Sequence, residues 1–352
     1  VIVNPSAYIN YLLMILKQVQ LSTKYKINSQ EIKNALKIVK PSNEAKKITQ
    51  NLLSSKSRAI FLGHQILHLD DGDNIKLIAM HIAQAIEATF GLIPGYANSV
   101  GLNELNLNSD NISTDKILSQ KKEAHIMMNF DPSYDYHSPK KINAALKNAK
   151  FNLAISPYIS DSFKGFDVVL PMTPFTETSG TYINMEKRIQ SFSAVTPPFG
   201  QARPGWKILR VLANFLQLEG FLYDSSEEVK ADAMIEFDKK NEDNLKVFKP
   251  SKIRSGLEIL NLIKANDSDM IVRRAASLHK NKDQSCCLIN PTTMLKEGLI
   301  DGQKIRISSS EAEVLINVKA DENVCLDAVA IFGKKDETAF LGMDNKVKIK
   351  KA

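Results

Sequence analysis

The chain has 352 residues, 43% hydrophobic and 24% charged, proportions that suit two or three globular domains and exclude disordered, collagen-like and low-complexity classes. Its net charge of +7 is spread over lysine-rich stretches (Lys37, Lys40, Lys46 and Lys47; Lys346 to Lys351) without interleaved aromatics, which speaks for a solvated surface and against a nucleic-acid-binding face. No apolar run approaches the roughly 20 residues of a membrane helix, and three cysteines (Cys286, Cys287, Cys325) suit a reducing compartment, neither a disulfide framework nor an all-cysteine iron–sulfur cluster.

The predicted elements begin with helices. After Asn4-Pro5, residues Tyr8, Leu12, Ile15, Leu16 and Val19 fall at helical spacing. Ile32, Leu36 and Val39 mark a second helix that stops at Pro41, and Ser42 caps a third with Ala45, Ile48 and Leu52 on one face. Residues 58–63 read as a short buried strand. An Asp/Gly turn at 70–73 leads into a helix with Ile75, Ile78, Ile82 and Ile86 inward, for which Gly91 and Pro94 read as the stop. Strands are predicted over 124–130, 151–155 and 167–171. Between the first two, Ser138-Pro139 opens a helix carrying Ile142 and Leu146. A helix over 204–216, with Trp206, Leu209, Leu212, Ala213 and Leu216 on its apolar side, closes at Gly220. This alternation predicts crossover units and an α/β, doubly wound parallel sheet. Residues 223–284 are charge-rich and read as a linker or insertion with helical fragments such as 257–263. From 285 onward, short strands over 287–289, 304–307, 314–318 and 328–331 predict a small separate β-barrel.

Few motifs carry chemistry. There is neither G-x-G-x-x-G nor a P-loop, and no G-x-S-x-G. His64 and His68, followed by Asp70, Asp71 and Asp73, have the spacing of a metal site only if helical; a turn and a helix cap is the better reading. Adjacent Cys286 and Cys287 on an apolar strand point to opposite faces and read as small buried hydrophobes. The segment that stands out is Phe175 to Gln190, which follows a strand directly. Thr178, Ser179, Thr181 and Asn184 offer donors and acceptors, Gly180 permits close backbone approach, and Glu186 and Arg188 can pair or grip an anion. Two readings stay open: a self-bonded loop, or the lining of a cleft at the carboxyl edge of the sheet. The guanidinium of Arg188 is expected to pair with Glu177 or Glu186.

The stretch Asp167 to Pro171, the run Phe175 to Gln190 and the run Thr196 to Arg210 together resemble the G-type subunit family of bacterial NADH-quinone oxidoreductases (respiratory complex I) and, more broadly, the molybdopterin oxidoreductase superfamily. Met128 to Asp135 is similar to the strand-and-proline turn of that superfamily. Ile289-Asn290-Pro291 and Gly298 to Ile307 are similar to the start of its C-terminal barrel. The resemblance covers most of residues 56–220 and 285–333.

This resemblance implies a formate dehydrogenase/dimethyl sulfoxide reductase-like α/β region over 56–222 and a double-psi-like barrel over 285–352. It leaves 1–55 as a helical segment of a truncated upstream domain and 223–284 as linker. In active relatives a cleft between the sheet domains and the barrel holds a pterin dinucleotide and a metal; in the G-type subunit the fold is generally kept without them. Three departures suit loss. Lys187 stands where glycine is common, Asp131 stands where asparagine is usual, and Ser308 to Ala312 lacks the hairpin glycine. A pterin's phosphates need backbone amides and cations at short range. The resemblance therefore implies no catalytic or metal residue and no retained cofactor, with Gly180, Thr181, Asn184, Glu186 and Arg188 lining a vestigial cleft. It implies iron–sulfur clusters in an N-terminal region outside this chain, other peripheral-arm subunits as partners, and a cytoplasmic place peripheral to the inner membrane. The alternative is a piece of a formate dehydrogenase-like enzyme that still binds the pterin dinucleotide.

Overall fold

The computed structural model describes residues 2–69, 71–105, 114–237, 248, 256–279, 286–333, 338–341 and 347–352. Asp70 of the expected turn, the side chain of His68, Lys346 and much of the 223–284 stretch lie outside the described residues.

The first helices are where their apolar spacing puts them. They are α1 (Tyr8–Ser22), α2 (Gln30–Ile38) and α3 (Asn43–Ser54). Ser29 and Ser42 cap α2 and α3, each hydroxyl accepting from the amide three residues on. Next come β1 (Ala59–Leu62), α4 (Gly72–Ala85) and β2 (Thr89–Leu92), a crossover unit whose two strands pair in parallel. Ile9, Leu13, Leu16 and Val19 of α1 share one core with Ile75, Ile78 and Ile82 of α4 and Leu62 of β1. Fully buried aliphatic side chains of this kind each contribute about 1.5–3 kcal/mol. Gly91 is a correction to the sequence reading: it lies inside β2, and α4 ends earlier. Glu87, with φ +53°, turns the chain there, and the Ala88 amide donates back to the Ala83 carbonyl.

Two short helices, α5 (Ser99–Glu104) and α6 (Thr114–Ser119), precede a second parallel sheet. Its strands are β3 (Ala124–Met128), β4 (Phe151–Ser156) and β5 (Val168–Pro171), in the order β3-β4-β5, with α7 (Pro139–Asn148) crossing over between the first two. These three parallel pairs and their crossovers follow the expected α/β pattern, but among the described residues they form two small sheets and not one continuous sheet. An antiparallel hairpin follows, β6 (Gly180–Ile183) and β7 (Ile189–Phe192). Then α8 (Gly205–Phe215) lays Ile208, Leu209 and Leu212 against Leu153, Ile155 and Met172. Gly205 starts α8 because a Cβ there would come within 2.9 Å of the Met172 sulfur.

After α9 (Ser226–Phe237), residues Glu258–Leu262 form strand β8, which corrects the expected helical fragment. Short apolar runs are ambiguous between the two states, and parallel pairing with β12 decides this one. The remaining elements are β9 (Cys286–Ile289), α10 (Pro291–Lys296), β10 (Lys304–Ser308), β11 (Glu313–Ala320), β12 (Ala328–Phe332) and β13 (Lys348–Lys351). Six strands form one mixed sheet in the order β13-β10-β11-β9-β12-β8, around a core that includes Cys287, Ile289, Ile305, Ile307, Val318 and Val329. Among the described residues its end strands, β13 and β8, are not paired with each other.

Candidate ligand crevice

The five predicted cleft residues fall on the β6–β7 hairpin, and each is engaged within it. Gly180 faces Phe192 across the hairpin, and a Cβ would sit 2.6 Å from that ring, so the close approach glycine permits is taken by an aromatic side chain. The hydroxyls of Thr181 and Ser191 lie 3.0 Å apart as a cross-strand pair. Asn184 builds the turn: its side-chain oxygen accepts from the amides of Glu186 and Arg188 at 3.0 and 2.9 Å. Arg188 and Glu186 approach to 3.8 Å with both side chains mostly exposed, so the expected pairing exists as a loose surface contact. Glu177 is engaged elsewhere, accepting from the Phe199 amide.

Lys187 has φ +60°, the left-handed region that glycine occupies without cost. Its ammonium leaves the hairpin to pair with Glu104 of α5 at 2.9 Å. An open groove of about 540 Å³ lies beside the hairpin. Thr178 and Ser179 line one side of it, Arg203, Trp206 and Lys207 another, with Asp224 and Ser226 beyond. Ser179 and Ser226 already share a hydrogen bond of 2.7 Å.

A second location follows from the fold, because open α/β sheets place ligands outside the carboxyl ends of their strands. At the ends of β3 and β4 stand Asp131, Asp135, Ser156 and Tyr158. Asp131 is completely buried. One of its carboxylate oxygens accepts from the Ser162 hydroxyl at 2.7 Å and the Ser133 amide at 3.3 Å; the other meets Arg274 at 3.2 Å. Asp135 accepts from the Asp131 amide at 2.9 Å and pairs with Arg273 at 3.0 Å. Both guanidinium groups also face aromatic rings, Arg273 over Tyr134 at 4.9 Å and Arg274 over Tyr158 at 5.2 Å.

Next along this loop, the Tyr136 hydroxyl donates to Asp115, which Lys141 approaches to 2.6 Å. Hydrogen bonds from Lys141 and Tyr136 hold the Asp115 carboxyl below its ordinary range. Burial, and then Asp115, push the Tyr136 phenol well above its own. A phosphate at this place would meet two carboxylates, one wholly buried, each paired with an arginine, and the Asp131 and Ser133 amides already donate to those carboxylates.

The other predicted features lie apart. His64 sits on a 3-10 turn with its ring edge-on to Tyr96. Cys287 is fully buried, and burial raises its thiol pKa, so it is inert as a nucleophile. The Ser308 to Ala312 turn reaches α7: Glu311 accepts from the Ser138 hydroxyl at 3.0 Å and the Lys140 amide at 3.1 Å. Sequence reading does not single out Arg273, Arg274 or Met270. No local pattern separates them from the other residues of 223–284, and only the long-range pairs reveal them.

A family model described as molybdopterin oxidoreductase matches residues 14–215. Over 188 residues the chain is 26% identical to the NADH-ubiquinone oxidoreductase 75 kDa subunit of Reclinomonas americana, covering 51% of this chain and 26% of that protein. It is 29% identical over 163 residues to the G-type subunit of NADH-quinone oxidoreductase from Shewanella oneidensis, covering 43% and 18%. It is also 36% identical over 75 residues to a putative formate dehydrogenase of Staphylococcus aureus, covering 21% and 8%. The chain thus spans about a quarter or less of the length of these relatives. Among solved structures, acetylene hydratase from Pelobacter acetylenicus superposes with a TM-score of 0.64 at 10% identity, covering 94% of this chain and 63% of that one; this likeness shows the fold alone.

Proposed function

The chain belongs to the molybdopterin oxidoreductase family, and from that premise we propose that it is the corresponding region of the G-type subunit of complex I, serving as a cofactor-free architectural part of the peripheral arm. In this reading its six-stranded C-terminal sheet is the counterpart of the family's barrel. Electron transfer from NADH to quinone runs through iron–sulfur clusters in the N-terminal region of the whole subunit and in its neighbours. Redox traffic needs cofactors, which amino-acid side chains do not replace. The partners are other peripheral-arm subunits on the cytoplasmic face of the inner membrane. Among the described residues no helix is long and apolar enough to cross a membrane, which agrees with a peripheral place.

The observation that carries the cofactor-free half is Asp131. A carboxylate with no exposed surface, held by Ser162, the Ser133 amide and Arg274, stands where the fold would offer amides and cations to a phosphate. Removing a buried ion's partner costs roughly 3–5 kcal/mol, so a ligand that drew Arg274 away would have to offset that. The assembly half is supported by the matches to complex I subunits.

The test is to purify the complex that contains this chain from its native membranes. Molybdenum and tungsten are then measured by elemental analysis, and pterin by fluorescence after oxidative extraction. Background levels are expected, together with co-purification of NADH-oxidising subunits. One pterin dinucleotide per chain would establish the formate dehydrogenase-like alternative instead. Absence of NADH:quinone activity from the purified complex would defeat the assembly half.

A further inference from the structure

The stretch between β8 and β9 contains a segment, residues 265–279, that forms three 3-10 turns and lies on the carboxyl edge of the other sheet. Met270 is 4% exposed and packs with Ala154 of β4 and Phe163. Its sulfur lies 3.5 Å from the Ser156 hydroxyl, at the last residue of β4. Two residues beyond Ile271, Arg273 reaches Asp135, and Arg274 reaches Asp131. Each arginine is also braced by its own segment. Arg273 donates to the Asp267 carbonyl at 3.3 Å and Arg274 to the Met270 carbonyl at 3.0 Å. Asp269 fixes the turn by accepting from the Ile271 and Val272 amides.

We propose that residues 265–279 are a built-in strap that occupies the crevice at the ends of β3 and β4. Met270 takes its apolar floor, and Arg273 and Arg274 take the two acidic groups at its rim. The inference rests on the cofactor-free reading and adds a mechanism to it: the crevice is closed by the protein's own chain. Because the strap is continuous with β8 of the C-terminal sheet, the same contacts lock that sheet to the parallel sheet. A ligand that entered this crevice would need the strap to leave first. That departure would uncover a wholly buried Asp131 carboxylate together with the Met270 pocket.

Hydrogen exchange on the full chain tests this, read at the amides of Arg273, Arg274 and Ala275, which donate to the Asp269, Ile271 and Val272 carbonyls. These amides are expected to be protected in the wild type. Asp131→Asn keeps the shape and the hydrogen-bond acceptor while removing the charge. It is expected to lower strap protection on the order of 10-fold, with β10 and β11 unchanged. Met270→Ala, which alters no charge, is expected to lower it as well. Added inorganic pyrophosphate is expected to leave exchange at Ser133 and Ser162 unchanged in the wild type. Free-peptide exchange rates in the wild-type strap would overturn the proposal. So would unchanged strap protection in both variants, or pyrophosphate protection of Ser133 with the strap still in place. These readouts are separable from the pterin analysis. Stoichiometric pterin would defeat the cofactor-free reading whatever the strap does, and a rapidly exchanging strap would leave background pterin levels as they are.

Discussion

Lys187 shows what a single position conceals. Its residue type, read alone, announces a cation beside a cleft. Its backbone, at φ +60° in the turn between β6 and β7, gives the physical reason for glycine there. The chain tolerates lysine because Asn184 bonds both flanking amides and because the ammonium reaches Glu104. The strain and the ion pair can be separated by substitution. Lys187→Ala loses the ion pair and keeps the strained backbone, whereas Lys187→Gly loses both. The glycine variant is therefore expected to be the more stable of the two by about 1 kcal/mol in urea denaturation. Equal stability, or a more stable alanine variant, would mean that the turn does not impose the left-handed backbone. Asp131 shows the same limit. Its charge is visible in the sequence, but the arginine that neutralises it lies 143 positions away.

For the elements, periodicity and caps are legible in the sequence and stops are not. The helices α1, α2, α3 and α7 follow from apolar spacing and from Ser29, Ser42 and Ser138, whose side chains accept from the first-turn amides. The ends of α4 and α8 do not follow the glycine signal. Glu87 and Gln217 adopt the left-handed conformation instead, and the amides after them donate back to Ala83 and Ala213. Strand β8 escapes pattern reading because five residues are too few to show a period; its partner β12 supplies the ladder. The cap of α7 has a second part that no local motif contains. Glu311, from the turn between β10 and β11, receives the Ser138 hydroxyl and the Lys140 amide at the positive end of the helix. Glu311→Ala is expected to cost about 1 kcal/mol at this helix end, read as faster exchange of the Lys140 and Lys141 amides. Glu311→Gln keeps an acceptor and is expected to fall between. Unchanged exchange in the alanine variant would show that the contact contributes nothing.

Across the described residues, the contacts between the C-terminal sheet with its connections and the rest of the chain include three. The strap meets the parallel sheet, Glu311 meets α7, and Glu258, the first residue of β8, meets the start of the N-terminal helical region. That last contact joins groups 252 positions apart: the Ser6 amide donates to a Glu258 carboxylate oxygen at 3.0 Å. Glu258 is 4% exposed, and its other oxygen is buried with no hydrogen-bond partner among the described residues. Such an arrangement is costly to build, and removing the acceptor would leave the half-buried Ser6 amide without this partner. Apolar spacing places α1 in a helix but carries no information on which sheet receives its beginning. An interaction between segments 252 positions apart has no signature within either segment. The consequence can be measured on the full chain. Glu258→Ala removes the acceptor and is expected to speed exchange at Ser6 and Ala7 and along the first turn of α1, while β10 and β11 keep their protection. Glu258→Gln retains a carbonyl oxygen for Ser6 and is expected to leave α1 close to wild type. If the alanine variant slows or leaves unchanged the exchange of α1, the N-terminal helices are held by their own apolar core with α4 alone, and the C-terminal sheet has no part in positioning them.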